Sequence, residues 1–200
     1  MQRLRELSGQ VLAMYEEISS TFSHYQASAG LPCTAGCGAC CNKPDIEVSP
    51  LEMLPLALHL FDQGLAETTL ESIEHYHGFA CMQYQRHSLD GQKGSCGIYP
   101  WRPGVCRMFG VAGYRTKDHI PTLSVCREIK QRLPERYADA LIMTTANPPP
   151  MMAHYQQKLA QLDFTLGEQR LPINEALKYC LEKILTLAAY APDIDDNAVA

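Results

Sequence analysis

Four of the nine cysteines in this chain, Cys33, Cys37, Cys40 and Cys41, fall within one glycine-rich stretch, and Cys81, Cys96, Cys106 and Cys126 follow singly. Thiolates hold zinc at about 2.3 Å and also hold iron–sulfur centres, and glycines let a short backbone curl until thiols two or three residues apart converge. Adjacent side chains of an extended or turning backbone point in different directions, so the tandem Cys40 and Cys41 seldom serve one mononuclear ion. Two centres, a multinuclear cluster, or one thiol outside the ligand shell would each account for the pair. A distal group must complete the coordination. Cys96 and Cys106, fixed by the prolines between them, come first, then Cys126 and Cys81. Cys180 is set apart, because it shares a helical face with Ile173, Leu177 and Ile184 and is expected to be a core residue.

The cysteine count is odd and lies below the roughly 8–10% of a disulfide scaffold, and in a reducing cytosol grouped cysteines bind metal or do redox work. Arg102 and Arg107 flank the later cysteines, where positive charge stabilises thiolates or makes ordinary ion pairs. Tyr99, Trp101 and Phe109 are placed to cover such a site or to pack in the core. His75 and His77 read as surface residues near a helix end, and Asp193, Asp195 and Asp196 as a solvated tail without calcium-loop spacing.

The elements that must position these thiols are mainly helical. Leu4, Leu7, Val11, Met14, Ile18 and Tyr25, with Phe22 beside them, recur at three and four residues and predict an amphipathic helix over 4–25, stopped by Gly30 and Pro32. After a short extended piece over 45–48, Ser49, Pro50 and Glu52 take the N-cap, N1 and N3 positions of a helix to about Gln63, with Gly64 as its stop. A second stretch, 65–77, should end at Gly78, and 88–97 should be a loop or hairpin tip. Pro103 should start a short helix carrying Cys106 and Phe109. One short strand pair within 111–125 and a helix over 127–143 broken at Pro134 follow. Asn147 to Pro150 reads as a polyproline boundary, after which helices are expected over 151–162 and 172–189. The expectation is a mainly α, irregular helical domain of about six to eight helices with a cysteine-rich metal-binding loop core and little β structure. Residues 1–146 form the metal-binding domain and 147–200 a helical appendage packed on it.

The stretches CTAGCGACC, IEVSPLE and CGIYPWRPGVCRMFG together resemble the bacterial cysteine-cluster family named for a CxxCxxCC signature and described as zinc- or iron-chelating. The last stretch looks like that family's C-x-I-Y-x-x-R-P-x-x-C-R-x-F block, and the first gap departs from the signature, with three residues instead of two. The resemblance covers about Cys33 to Cys126 and implies that Cys33, Cys37, Cys40, Cys41, Cys96 and Cys106 are motif cysteines, with Cys81 matching an upstream and Cys126 a trailing one. Zinc or an iron–sulfur cluster is therefore the expected cofactor, held by those eight cysteines.

An alternative is an iron–sulfur redox or protein-modifying enzyme. Cys33-x3-Cys37-x2-Cys40 equals the spacing of radical S-adenosylmethionine enzymes, but a long helix precedes it and no alternating βα pattern follows. The cluster region also resembles that of flagellin lysine methylases, yet neither a GxGxxG nor a P-loop is present. The net charge of -5 with scattered cations argues against nucleic acid. No apolar run is long enough to span a bilayer, and MQRLRELSGQ does not read as a secretory signal, so the expected setting is cytoplasmic with a metal ion as partner.

Overall fold

The structure, a computed structural model, describes residues 1–43 and 46–190. Helix α1 (Gln2–Ser28) buries the expected stripe, with Tyr15 and not Met14 at its centre. It ends as Gly30 takes φ +65° and the amides of Gly30 and Leu31 bond back to Ala27 and Gln26, a closure that needs left-handed backbone. Strand β1 (Glu47–Val48) leads into α2 (Pro50–Asp62). Its N-terminus is the capping box expected from Ser49 and Glu52. Every residue of α2 from Pro50 to Leu58 is buried, which makes it the axis of the fold.

Helix α3 (Ala66–Glu74) stops short of the expected His77 because His75 already caps it. The hairpin β2 (Tyr84–Arg86) and β3 (Gly94–Cys96) follows, then the one-turn 3-10 segment Tyr99–Trp101 and the short α4 (Gly104–Met108). The whole of 111–125 forms a second hairpin, β4 (Val111–Arg115) with β5 (Pro121–Val125). Pro134 divides the next helical stretch into α5 (Arg127–Arg132) and α6 (Pro134–Ile142), as its missing N–H requires. Then come α7 (Met152–Ala160), α8 (Phe164–Gly167), β6 (Leu171–Pro172) and α9 (Ile173–Ala189). The fold is mainly α, with nine α-helices among the described residues and three two-stranded antiparallel sheets. The count exceeds the expected six to eight because one-turn helices carry no periodicity to read.

The main core joins the inner faces of α1, α2 and α9, and Cys180 lies in it at 1% exposure, donating its S–H to the carbonyl of Pro50 at 2.9 Å. A smaller cluster around Tyr25, Leu31, Val111, Val125, Ile129 and Ala140 ties the end of α1 to β4, β5, α5 and α6. Strand β1 pairs with β6, so the exit of the thiol loop is bonded to the segment that opens α9. No helix among the described residues is long and apolar enough to cross a membrane. The acidic tail containing Asp193, Asp195 and Asp196 lies outside the described residues.

Candidate metal centre

The loop carrying Cys33, Cys37, Cys40 and Cys41 has no regular structure of its own and takes its shape from the β2–β3 hairpin. The amide of Gly38 donates to Gln92 at 3.0 Å, that of Gly94 donates to Gly36 at 3.0 Å, and Cys37 bridges to Lys93. The amide of Cys81 donates to the carbonyl of Cys41 at 3.3 Å, which brings the fifth thiol beside the tandem pair. Tyr84 lies between loop and hairpin, its hydroxyl 2.7 Å from the Gly91 carbonyl and 3.0 Å from that of Lys93. A Cβ on Gly38 would meet that hydroxyl at 1.9 Å, so only glycine permits the approach. On the other side Arg132 holds the carbonyl of Pro32 at 2.6 Å and anchors the start of the loop to α5.

Cys106 comes from α4, whose placement depends on Glu52. Buried at 1% exposure, the Glu52 carboxylate accepts from the Val105 amide at 3.2 Å, from Arg170 at 2.9 Å and from the Ser49 amide at 3.0 Å. The buried hydroxyl of Tyr15 donates to the Glu52 carbonyl, and desolvation holds the Tyr15 pKa well above the ordinary value. Arg107 braces the approach to α4 by donating to Arg102 and Pro100 carbonyls at 2.9 and 2.7 Å and to Ser19 Oγ at 2.8 Å, with its guanidinium over the Tyr15 ring. Arg107 is thus a strut between α1 and the segment before α4. Trp101 stacks on His59, Phe109 packs against the core, and Tyr99 is exposed beneath the guanidinium of Arg102.

Mutual electrostatics divide the thiols into two sets that share Cys40. Burial raises the Cys106 thiol well above its usual value, and Cys81, Cys40 and Cys96 raise it further. Cys81 is pushed up to about 11 by burial, with Cys96 and Cys40 adding to it. Burial also raises Cys96, opposed by Arg102 and Arg107. The Sγ atoms of Cys40 and Cys41 share a hydrogen bond, which lowers Cys40 to about 6 with help from Arg102, and Cys41 is raised in turn. These five thiols form the inner set. Cys33 is exposed as a residue, yet its thiol is raised by partial desolvation and then by Cys40, Cys37 and Cys126, which define the outer set.

The structure couples Cys40, Cys41, Cys81, Cys96 and Cys106 to one another and Cys33 to Cys37, Cys40 and Cys126, and leaves Cys180 in the core. His75 is bonded through Nδ1 to Glu71 of its own helix at 2.8 Å. Cys40 and Cys41 depart from the divergent directions expected of adjacent residues, because the turn between them sets their sulfurs 4.0 Å apart. Two thiolates on one tetrahedral zinc stand about 3.8 Å apart, so this pair matches an edge of such a site. Among the described residues no group of three or more Cys, His, Asp or Glu stands at metal-holding separation, so the remaining sulfurs are gathered but not drawn onto one point. The donor chemistry fits a thiophilic metal in a second respect: Arg102, whose buried Nε has no partner among the described residues, lies close enough to Cys40 and Cys96 for its charge to favour their thiolate forms. Sequence reasoning missed Arg170, Tyr84 and Ser19, whose contacts join residues far apart in the chain; only the capping-box role of Glu52 was legible.

A helical scaffold that gathers thiols from separated segments around one loop is the architecture of a chelating domain for thiophilic metals. The chain belongs to the CxxCxxCC family, described as a "putative zinc- or iron-chelating domain", whose model matches residues 32–136, just over half of the chain. No curated protein and no solved structure matches it.

Proposed function

We infer that this protein binds zinc or an iron–sulfur cluster through thiolates of its cysteine loop. Cys40, Cys41, Cys81, Cys96 and Cys106 form the principal donor set, and Cys33, Cys37 and Cys126 the adjoining one. The observation that carries the reading is the gathering of five mutually coupled thiols near Arg102, whose buried Nε has no partner among the described residues, inside the region matched by a zinc- or iron-chelating family. When bound, the metal crosslinks the loop, the β2–β3 hairpin and α4, so binding free energy becomes folding free energy. In this role Arg102 offsets thiolate charge, Arg107 fixes the segment before α4, and Glu52 holds the N-terminus of α4 so that Cys106 faces the loop.

The test is anaerobic purification without added metal, followed by metal and inorganic sulfide analysis and an absorption spectrum. Bound zinc without colour, or iron and sulfide with visible absorption, supports the reading and selects the metal. Cys106→Ser should lose metal while Cys180→Ala retains it. Protein that is folded, metal-free and unable to take up either zinc or a reconstituted cluster would overturn the proposal.

A further inference from the structure

The Sγ atoms of Cys40 and Cys41 stand 4.0 Å apart, and the turn that carries them is held from both sides. The Asn42 amide donates to the Gly38 carbonyl at 3.0 Å across the turn, the Gly38 amide donates to Gln92 at 3.0 Å, and the Cys81 amide donates to the Cys41 carbonyl at 3.3 Å. A disulfide sets its sulfurs at about 2.05 Å, so rotation of the two side chains and a small adjustment of the turn must close a gap of about 2 Å. Both residues are half-buried, which leaves them open to a small reagent.

Cys40 also lines a cavity of about 460 Å3 between the thiol loop and the β4–β5 hairpin, and Cys41 is not part of that lining. A small oxidant in this cavity meets the Cys40 sulfur first, with Cys41 next to it to complete the reaction. Cys126 lines the same cavity and is the competing thiol. Neighbouring Cα atoms are about 3.8 Å apart, short of the roughly 4.4–6.8 Å that a relaxed disulfide spans. A linkage between adjacent residues is therefore strained and readily reduced, which suits a reversible switch and not a permanent staple.

We propose that Cys40 and Cys41 are a peroxide-sensitive dithiol that closes to a reversible disulfide between adjacent residues. The Cys40 sulfur attacks a peroxide oxygen, the O–O bond breaks, and the departing hydroxide takes the Cys40 proton and leaves as water, giving a sulfenic acid. The Cys41 sulfur then attacks the Cys40 sulfur, the S–O bond breaks, and a second water carries off the Cys41 proton. The two thiols lose two electrons and hydrogen peroxide gains them. The second step is favoured because its partners are already held together. The consequence for the metal rests on the reading above: a closed pair removes two of the five principal donors. The remaining Cys81, Cys96 and Cys106 fall short of the four ligands of a structural zinc site, so oxidation and metal retention oppose each other.

The experiment treats the anaerobically purified full chain, its metal content measured, with hydrogen peroxide in the presence and absence of a chelator. Free thiols are then blocked with iodoacetamide and the peptides mapped by mass spectrometry without reduction. Cys40 and Cys41 should lose alkylation together while Cys33, Cys37 and Cys126 keep it, and dithiothreitol should restore both. In protein that carries metal, the chelator should speed this loss, and peroxide alone should release metal as the pair closes. In Cys41→Ser the sulfenic acid has no neighbour to attack it, so dimedone should label Cys40. Alkylation of the pair that persists while other thiols are consumed, a linkage of Cys40 to Cys126 or any other cysteine, or a loss that dithiothreitol does not reverse would overturn the proposal. If Cys41→Ser fails to fold, the map of the native chain decides alone. A preparation without metal would count against the metal reading and leave the map valid, whereas a closed pair that keeps all its metal would overturn the switch and leave the metal reading standing.

Discussion

Glu52→Ala is the most informative single change outside the cysteines. The substitution removes the acceptor for the Val105 and Ser49 amides and leaves the guanidinium of Arg170 without its carboxylate. Removing one partner of a buried, hydrogen-bonded ion pair costs about 3–5 kcal/mol, and Glu52 at 1% exposure sits in that regime although Arg170 is partly solvated. The lower figure is appropriate, about 3 kcal/mol. For a chain of this size each kcal/mol moves the midpoint by about 2–4 °C, so a drop near 10 °C is expected by scanning calorimetry. Glu52→Gln keeps the volume and one acceptor oxygen, so it should fall between wild type and alanine. Freeing the start of α4 should also loosen Cys106, and metal retention against a chelator should fall in the same order. A midpoint lowered by less than about 3 °C in Glu52→Ala would refute the reasoning, since it would mean the Val105 amide and Arg170 find other partners at little cost.

Gly38→Ala should lose about 2 kcal/mol and much of its metal, because a Cβ 1.9 Å from the Tyr84 hydroxyl must push the loop off the hairpin; urea denaturation with metal analysis checks it. Apo protein should lose stability as pH rises from about 9 to about 12. Burial pushes the Cys180 thiol up to about 12, whereas an exposed thiol in the unfolded chain ionises near 9.0, so its contribution is complete below 9 and fades above it. The alkaline slope should be shallower in Cys180→Ala. Chelation of the native protein should lower its melting midpoint by an amount that grows with metal affinity, measured by scanning calorimetry with and without added metal.

Much of the fold was legible because its signals are local. The three- and four-residue spacing of α1, the Ser49–Pro50–Glu52 start of α2, and Gly30 and Gly64 as stops each encode their outcome within a turn of helix. That Cys180 belongs to the core was legible from its helical face, and that Cys81 and Cys106 lie near the tandem Cys40–Cys41 agrees with the family resemblance. How the thiols are gathered was not legible. The loop is shaped by Gln92 and Lys93, some fifty residues downstream, and α4 is held by a carboxylate already committed to a helix cap. The facing of Cys40 and Cys41 depends on a tight turn whose dihedral angles no two-residue rule foresees.

The pairing of β1 with β6 and the packing of α9 on α2 have a consequence for biosynthesis. Every candidate ligand, up to Cys126, is translated well before Ile173, where α9 begins. At about 5–20 residues per second the ribosome leaves the nascent thiols for several seconds without the segment that closes the core over α2. During that interval the loop is attached to an unfinished scaffold, and oxidation competes with metal capture. Early metal delivery, or a strongly reducing environment during synthesis, should therefore raise the yield of correctly loaded protein more than the same treatment applied after the chain is released.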